Sequence, residues 1–220
     1  MLSVAEENYI KCIFKKSERS LAAVSTNAIA EAMQTKAASV TDMLKRLSEK
    51  ELLHYKKYKG VRLTAAGNEV AKQLVRKHRL WEVFLVEKLD FSWDEVHDIA
   101  EELEHISSDE LTEKLDKFLG YPKYDPHGDP IPDQEGNIKY RSKVTLKELE
   151  VGETGHVVGV RDSSATFLQY LDEVRITLGS TLTLRNRFAF DGSVQIELAD
   201  GRALVLSEQV AKNLYITVNS

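Results

Sequence analysis

The chain holds one cysteine, two tryptophans and four prolines in 220 residues, and it has no long hydrophobic run. A lone Cys12 excludes an internal disulfide and suits a reducing cytoplasm. With Tyr9, Ile13 and Phe14 beside it, Cys12 reads as a buried apolar residue of the first helix. No stretch approaches the roughly 20 apolar residues that a membrane helix needs. The opening "MLSVAEENYIKC" is too acidic and too interrupted for a secretory leader, so a cytoplasmic location away from membranes is expected. Also missing are a nucleotide-binding glycine loop, a His-Glu-x-x-His pair and a Gly-x-Ser-x-Gly elbow. All four prolines fall between Tyr121 and Pro132, in "YPKYDPHGDPIPDQEGN", which marks a loop or linker and a domain boundary.

What is present is ordinary in amount and uneven in distribution. With 42% hydrophobic and 30% charged residues, the chain can bury a core in one or two domains. The net charge of −5 hides an asymmetry: residues 1–64 carry 12 Lys or Arg against 7 Asp or Glu, and the remainder carries 18 against 28. A basic lobe on an acidic body is the footprint of a polyanion-binding head.

That lobe has a recognisable order. Residues 4–17 read as a helix with Val4, Tyr9, Ile10, Ile13 and Phe14 inward. "STNAIAEAMQ" is a short second helix capped by Ser25, Thr26 or Asn27, and "TKAASVTDMLKRLSEKELL" a third, with Val40, Met43, Leu44 and Leu47 inward. The turn "MQTK" between them has the length a helix-turn-helix requires. "LLHYKKYKGVRLT" then has hairpin character, with Gly60 near its turn, and the whole describes a winged helix. A third helix that enters the major groove must offer short polar side chains to base edges and cations to phosphates. Lys36, Ser39, Thr41, Asp42 and Lys45 lie on its outward side, while Lys56, Lys57, Tyr58 and Lys59 would set the wing against the backbone or minor groove. Asp42 would repel phosphate unless it accepts from a cytosine amino group. The partner expected is double-stranded DNA. One recognition helix reads few base pairs, so a homodimer on a palindromic operator is expected.

Behind the head, Ala65 to about Asp90 reads as one long helix, with Val70, Leu74, Leu80, Val83, Phe84 and Leu89 at helical spacing. "VHDIAEELEHISSDEL" follows. As a helix capped by Ser92 or Asp94 and broken near Ile106, it places His97, Glu101, Glu104 and His105 on one stripe beside an apolar stripe of Val96, Ile99, Ala100, Leu103 and Ile106. "KHRLWE" adds His78 and Glu82 at i, i+4 on the preceding helix. A single His–Glu pair on a helix is usually solvated; two such fragments on adjacent helices point to a metal site instead. Imidazole and carboxylate donors without thiolate suit manganese or ferrous iron more than copper or structural zinc. A further helix spans Ser108–Leu119. Beyond Lys143 the period changes to short alternating runs, "HVVGVRD", "TLTLRNRF", "VQIELAD" and "ALVLSEQ", with one inserted helix, "SSATFLQYLDEV", which together describe a small β-barrel.

The segments "ENYIKCIF", "SVTDMLKRL", "GVRLTAAG", "RKHRLWEVFL", "VHDIAEELEH" and "DPHGDPIP", in that order, resemble the DtxR/MntR family of metal-dependent transcriptional repressors over nearly the whole chain. The fold this implies is mainly α with β: a winged helix-turn-helix over 1–64, a helical metal-binding and dimerisation domain with the Pro-rich linker over 65–142, and an SH3-like, FeoA-type barrel over 143–220. The resemblance implies a primary site of Glu101, Glu104 and His105 with Asn8 from the first helix. It implies an ancillary site built either from His78, Glu82 and His97, or from Glu82, Asp125, His127 and Asp162. Glutamate at 101, where iron-responsive members have cysteine, argues for manganese. Lys11 stands where some short manganese members have a further glutamate, which disfavours their two-metal arrangement. Ser163 and Thr166 stand where iron-type members have barrel ligands.

The function expected is therefore a repressor that controls metal uptake, activated by Mn2+ or alternatively Fe2+, with other divalent ions able to substitute in vitro and no small-molecule substrate beyond the ion. A di-metal carboxylate enzyme is the runner-up, since Glu102-Leu103-Glu104-His105 has a Glu-x-x-His spacing. No second such pair sits on a helix suited to it, because Glu51-Leu52-Leu53-His54 belongs to the head's core, so catalysis is not expected.

Overall fold

The computed structural model of the chain describes residues 2–18, 23–56 and 59–218. The head is three helices and a hairpin: α1 (Val4–Ser17), α2 (Thr26–Ala32), α3 (Ala37–Glu49), β1 (Leu53–Lys56) and β2 (Gly60–Leu63). α1 starts where Ser3 and Glu6 cap one another, the Ser3 hydroxyl accepting from Glu6 N and Ser3 N donating to Glu6 Oε2 at 2.9 Å. This reciprocal arrangement satisfies two orphan amides. The other Glu6 oxygen takes Lys50 Nζ at 2.7 Å, pinning the end of α3 to the start of α1. Ser25 is the cap of α2, and Met33–Lys36 form the turn to α3. Ile10, Ile13, Ile29, Val40, Leu44, Leu47 and Leu53 are the buried centre of the head. Burial of each such side chain contributes about 1.5–3 kcal/mol. Val4 departs from expectation: it is 54% exposed, because it occupies the first turn, before α1 meets its neighbours. Cys12 is half-buried against this core.

α4 (Ala65–Leu89) leaves the wing under a Thr64 cap and, at 25 residues, runs about 37 Å. It packs on α1 near its start and carries α5 (Val96–Leu103) and α6 (Asp109–Phe118) further along. Arg76 is buried on α4. Its guanidinium holds Asp116 at 2.9 Å, Glu113 at 3.2 Å and the Pro132 carbonyl at 3.0 Å, so one side chain ties α4, α6 and the Pro-rich loop together. Leu89 is exposed at the end of α4.

α5 corrects two expectations. Neither Ser92 nor Asp94 caps it; the cap position is Glu95, without a side-chain bond, while Asp94 accepts from the Ser92 hydroxyl and from Gln169. The helix also stops early, at Leu103, with Glu104 as its last αR residue. The apolar stripe runs out there: Ile106 is 38% exposed, so nothing buried holds a further turn. His105 thus lies past the helix and not on the His97–Glu101 stripe.

The C-terminal unit is a six-stranded antiparallel sheet in the order β3-β8-β4-β5-β6-β7, from β3 (Val144–Thr145), β4 (Thr154–Val160), β5 (Thr181–Arg187), β6 (Val194–Leu198), β7 (Ala203–Leu206) and β8 (Leu214–Val218). α7 (Ala165–Glu173) and the short α8 (Glu208–Asn213) cover it, around a core that includes Leu146, Leu168, Leu182, Ile196 and Ile216. The sequence implies one helix here and a strand running through "ALVLSEQ"; instead β7 ends at Leu206, and Ser207 caps a second helix, α8, by accepting from Val210 N. β8 then closes the sheet between β3 and β4, with a bulge in its pairing between Val157 and Gly159. Among the described residues no helix is long and apolar enough to cross a membrane.

Candidate metal centre

Four pieces of chain meet behind the head. α4 supplies His78, Arg79 and Glu82; α5 supplies His97 and Glu101, with Glu104 at its end; α1 supplies Asn8 and Lys11; the Pro-rich loop supplies Asp125 and His127. All of these but Glu104 line a cavity of about 800 Å3 that reaches the barrel at Val160 and Arg161.

Among the described residues, two sets of three side chains bring ligand atoms within 4.8 Å of one another: His78, His97 and Glu101, and Glu82, Asp125 and His127. Glu82, a member of the second set, also faces the histidines of the first. Its Oε1 is 3.0 Å from His78 Nε2 and 3.4 Å from His97 Nδ1, and its Oε2 is 3.6 Å from His127 Nδ1. Burial alone would raise the Glu82 carboxyl, but hydrogen bonds from His127, His78 and His97 outweigh it and hold the group well below the usual carboxylate range. His127 is fixed from the other side by Nε2 against the Trp93 carbonyl at 2.7 Å, with its ring stacked on the Trp93 indole. Burial disfavours the His127 cation, yet its bond to Glu82 carries the pKa up to about 9.

Asp125 is the most constrained member. Its Oδ1 accepts from the backbone amides of His127 and Asp129, each at 2.9 Å, and Oδ2 faces Arg79 Nε at 3.4 Å. Burial, helped by the Glu82 and Asp129 charges, pushes the Asp125 carboxyl up to about 7 against the pull of Arg79 and His127. The loop that holds it is seated on the barrel. Val160 N donates to the His127 carbonyl at 3.0 Å beside the β4 bulge. Gly128, at φ +86°, sits so close to β4 that a β-carbon there would lie 2.1 Å from the Val158 carbonyl oxygen. Only the family resemblance points to Asp125 and His127 as ligands; the structure brings them onto Glu82, 43 residues or more away along the chain.

The remaining predicted ligands are placed differently. Glu101 and Glu104 both bind Lys11 Nζ, Glu101 Oε1 at 2.7 Å and Glu104 Oε2 at a very short distance. His78 Nδ1 faces the same Glu104 oxygen at 2.7 Å. Burial opposes protonation of His78, but its bonds to Glu104 and Glu82 raise the pKa overall. Burial raises the Glu101 carboxyl, but the charge and hydrogen bond of Lys11, together with the charges of His78 and Lys15, hold it below its ordinary value. His105 Nδ1 pairs with Glu7 Oε2 at 2.5 Å, and its Nε2 stands 3.9 Å from Glu104 Oε1. Glu101, Glu104 and His105 do not form one of the converging sets. Asn8 Oδ1 and Glu104 Oε1 are buried without a hydrogen-bond partner. Asp162 Oδ1 accepts from Ser164 N at the start of α7; its neighbours Arg161 and Ser163 line the cavity. Arg79 is a site residue that the sequence did not single out, and neither the Glu7–His105 pair nor the contacts of Lys11 with Glu101 and Glu104 were expected from it. Arg79 was adjacent to His78 in "KHRLWE", and that adjacency was the one available signal.

On the head, Lys36, Ser39, Asp42 and Lys45 of the α3 face are exposed, as are Lys56 and Lys59 on the hairpin. Thr41 is half-buried and donates its hydroxyl to the Ala37 carbonyl at 2.9 Å. Lys57 and Tyr58 lie outside the described residues. Arg46, exposed next to Lys45, is a further cation on this face.

A winged helix joined by a long helix to a cavity of imidazoles and carboxylates defines a class, the DNA-binding regulator with a metal-ligand core. Three family models cover the chain in the same order: iron dependent repressor, N-terminal DNA binding domain, over residues 1–61; iron dependent repressor, metal binding and dimerisation domain, over 64–133; and FeoA domain over 144–218. The chain belongs to the iron-dependent repressor (DtxR/MntR) family. A solved manganese-dependent transcriptional repressor in complex with manganese is 35% identical, with a TM-score of 0.87 over 97% of this chain and 100% of that one. The diphtheria toxin repressor of Corynebacterium jeikeium is 32% identical over 57% of this chain and 52% of its own length. A probable metal transport system membrane protein of Chlamydia trachomatis is 53% identical over 32% of this chain and 16% of its own length. The chain thus spans about half or less of these two curated relatives.

Proposed function

We propose that the chain is a metal-activated repressor of metal-uptake genes that binds a palindromic operator as a homodimer in the cytoplasm and performs no catalysis. The three working units are 1–64, 65–142 and 143–220. The observation that carries this reading is the buried set Glu82, Asp125 and His127 under a basic winged head. Two carboxylates and an imidazole converge here, with one carboxyl driven up by burial and then by its anionic neighbours Glu82 and Asp129. The donors therefore fit a divalent cation, and oxygen and nitrogen donors without sulfur favour Mn2+ or Fe2+. Glu101 in place of a thiolate and the manganese-dependent neighbour favour Mn2+.

When bound, the ion supplies fixed positive charge to ligands from two elements. Glu82 belongs to α4, which is continuous with the wing, and Asp125 and His127 belong to the loop seated on β4. Holding these together fixes the direction in which α4 presents the head. The ion raises DNA affinity only by binding that arrangement better than others. On the head, α3 begins at Lys36 without a side-chain cap, so its first amides are free to meet a phosphate, and Ser39, Asp42 and Lys45 follow on the exposed face. His78, His97 and Glu101 are a second candidate set on the same cavity wall.

The test is to select duplexes with the protein in Mn2+, then measure affinity for the selected palindrome by fluorescence anisotropy with Mn2+, with Fe2+ and with chelator at fixed salt. Affinity should fall at least tenfold in chelator, and Glu82→Gln should bind as the chelated wild type does. Equal affinity with and without metal would refute the mechanism.

A further inference from the structure

One side chain from the linker ahead of the barrel grips the metal-ligand loop on both sides of its ligands. The loop closes on itself: Tyr124 and Pro130 pair as an antiparallel bridge, Asp125 N donates to the Asp129 carbonyl, and Gly128 N donates to the Asp125 carbonyl, each at 3.0 Å. Asp125 and His127 lie inside that ring. The Arg141 guanidinium sits 3.7 Å from the centre of the Tyr124 ring, and its Nη2 donates to the Gly128 carbonyl at 3.3 Å and, in very close contact, to the Val158 carbonyl. Val158 is the residue that the β4 bulge leaves out of the ladder, so its carbonyl is available to a side chain. Arg141 Nε is buried without a hydrogen-bond partner, so Nη2 and the ring face carry the whole grip. The arm itself is anchored elsewhere. Tyr140 Oη donates to Glu18 Oε1 at 2.9 Å beyond the end of α1, and Lys143 Nζ lies 3.7 Å from the centre of the Tyr215 ring on β8. Head and barrel thus hold the chain around Arg141 without help from the loop.

We infer that Arg141 is a positioning residue for the ion: it holds Asp125 and His127 where Glu82 meets them, and without it the loop leaves that geometry. This rests on the reading that Glu82, Asp125 and His127 hold the ion. Charge and position predict opposite outcomes for its removal. Burial disfavours the Arg141 cation while Tyr124, Asp125 and Asp129 support it, so its charge is felt at the ligands. A like charge at that range weakens the hold on a dication, and deleting it would tighten Mn2+ binding if charge were its only role. Deleting a support loosens binding instead, by about 10–100-fold. The sign of the change decides.

In the test, full-length wild type, Arg141→Ala, Arg141→Lys and Tyr124→Leu are titrated with Mn2+ against a fluorescent chelator, and amide hydrogen exchange is followed in the metal-free proteins. Arg141→Lys keeps the charge but lacks the planar fork that meets two carbonyls and a ring face together. Mn2+ affinity should fall about 10–100-fold in Arg141→Ala and by a smaller factor in the other two. Before any metal is added, the amides of Asp125, His127, Gly128 and Asp129 should exchange faster in all three variants, while those of β5 and β6 keep their rates. Should Arg141→Ala fail to fold, the two milder variants give the same decision. With Glu82→Gln as the control that loses the ion, unchanged affinity in Arg141→Lys, tighter binding in Arg141→Ala or wild-type exchange of the loop amides would overturn the inference. If Glu82→Gln keeps the ion while the loop amides exchange faster in the Arg141 variants, the grip on the loop is supported and the Glu82 site fails instead.

Discussion

Replacing Gly128 by alanine should detach the metal-ligand loop from the barrel, and three glycines allow the cause to be isolated. At Gly128 the added carbon would lie 2.1 Å from the Val158 carbonyl oxygen and 2.5 Å from Gly159 Cα, at a backbone φ of +86°. The left-handed conformation costs an alanine about 1 kcal/mol. Relief of the contact requires the loop to move, which breaks the hydrogen bond from Val160 N to the His127 carbonyl, worth about 1 kcal/mol, and degrades the packing around it. The total is roughly 2–4 kcal/mol of stability. Because Asp125 and His127 move with the loop, Mn2+ affinity should fall about 10–100-fold, the usual effect of disturbing the support of a ligand. Gly120 has φ +76° and nothing within 4 Å, so Gly120→Ala carries the conformational cost alone and should leave metal binding intact. Gly159 has the contact alone, 3.0 Å from the His127 carbonyl oxygen, and Gly159→Ala should weaken metal binding less than Gly128→Ala does. Denaturant melts and Mn2+ titrations of the three variants read both quantities. If Gly128→Ala bound Mn2+ as Gly120→Ala does, the coupling of barrel to ligand loop would be wrong.

Two further outcomes follow from contacts outside the cavity. Arg76→Met leaves Asp116 buried without its partner and should cost about 3–5 kcal/mol in urea melts, while Arg76→Met with Asp116→Leu should recover most of it; equal melts for the single and double variants would contradict the ion-pair account. Lys36→Ala and Lys45→Ala should each lower the slope of log affinity against log salt for the selected duplex by about 1, uniformly across related duplexes, and an unchanged slope would place that lysine off the phosphates.

The helices and strands were legible where burial follows local periodicity. Ile10, Ile13, Val40, Leu44 and Leu47 gave the head, and the alternating Leu182, Leu184, Ile196 and Leu198 gave the middle of the barrel. β8 was not named as a strand although Leu214-Tyr215-Ile216-Thr217-Val218 alternates in burial and is rich in β-branched and aromatic residues; its partners β3 and β4 lie more than 50 residues earlier, so its place in the sheet had no local signal. The early end of α5 escaped for a related reason: Ile106 continues the apolar spacing, and only the absence of a surface to cover it ends the helix. Of the candidate ligands, His78 with Glu82 and His97 with Glu101 were visible as one-turn pairs on single helices.

Sequence alone determined that this protein has a basic winged head, an acid- and histidine-rich helical middle and a β-rich end, because those features follow from local periodicity and charge. Only the tertiary structure decided which charges meet. It set Glu82 against Asp125 and His127 from a loop, and it placed the Lys11 ammonium on Glu101 and Glu104, 90 and 93 residues further along the chain. Electrostatic energy depends on separation in space and on exclusion of water, and neither is written in the spacing of residues along a chain.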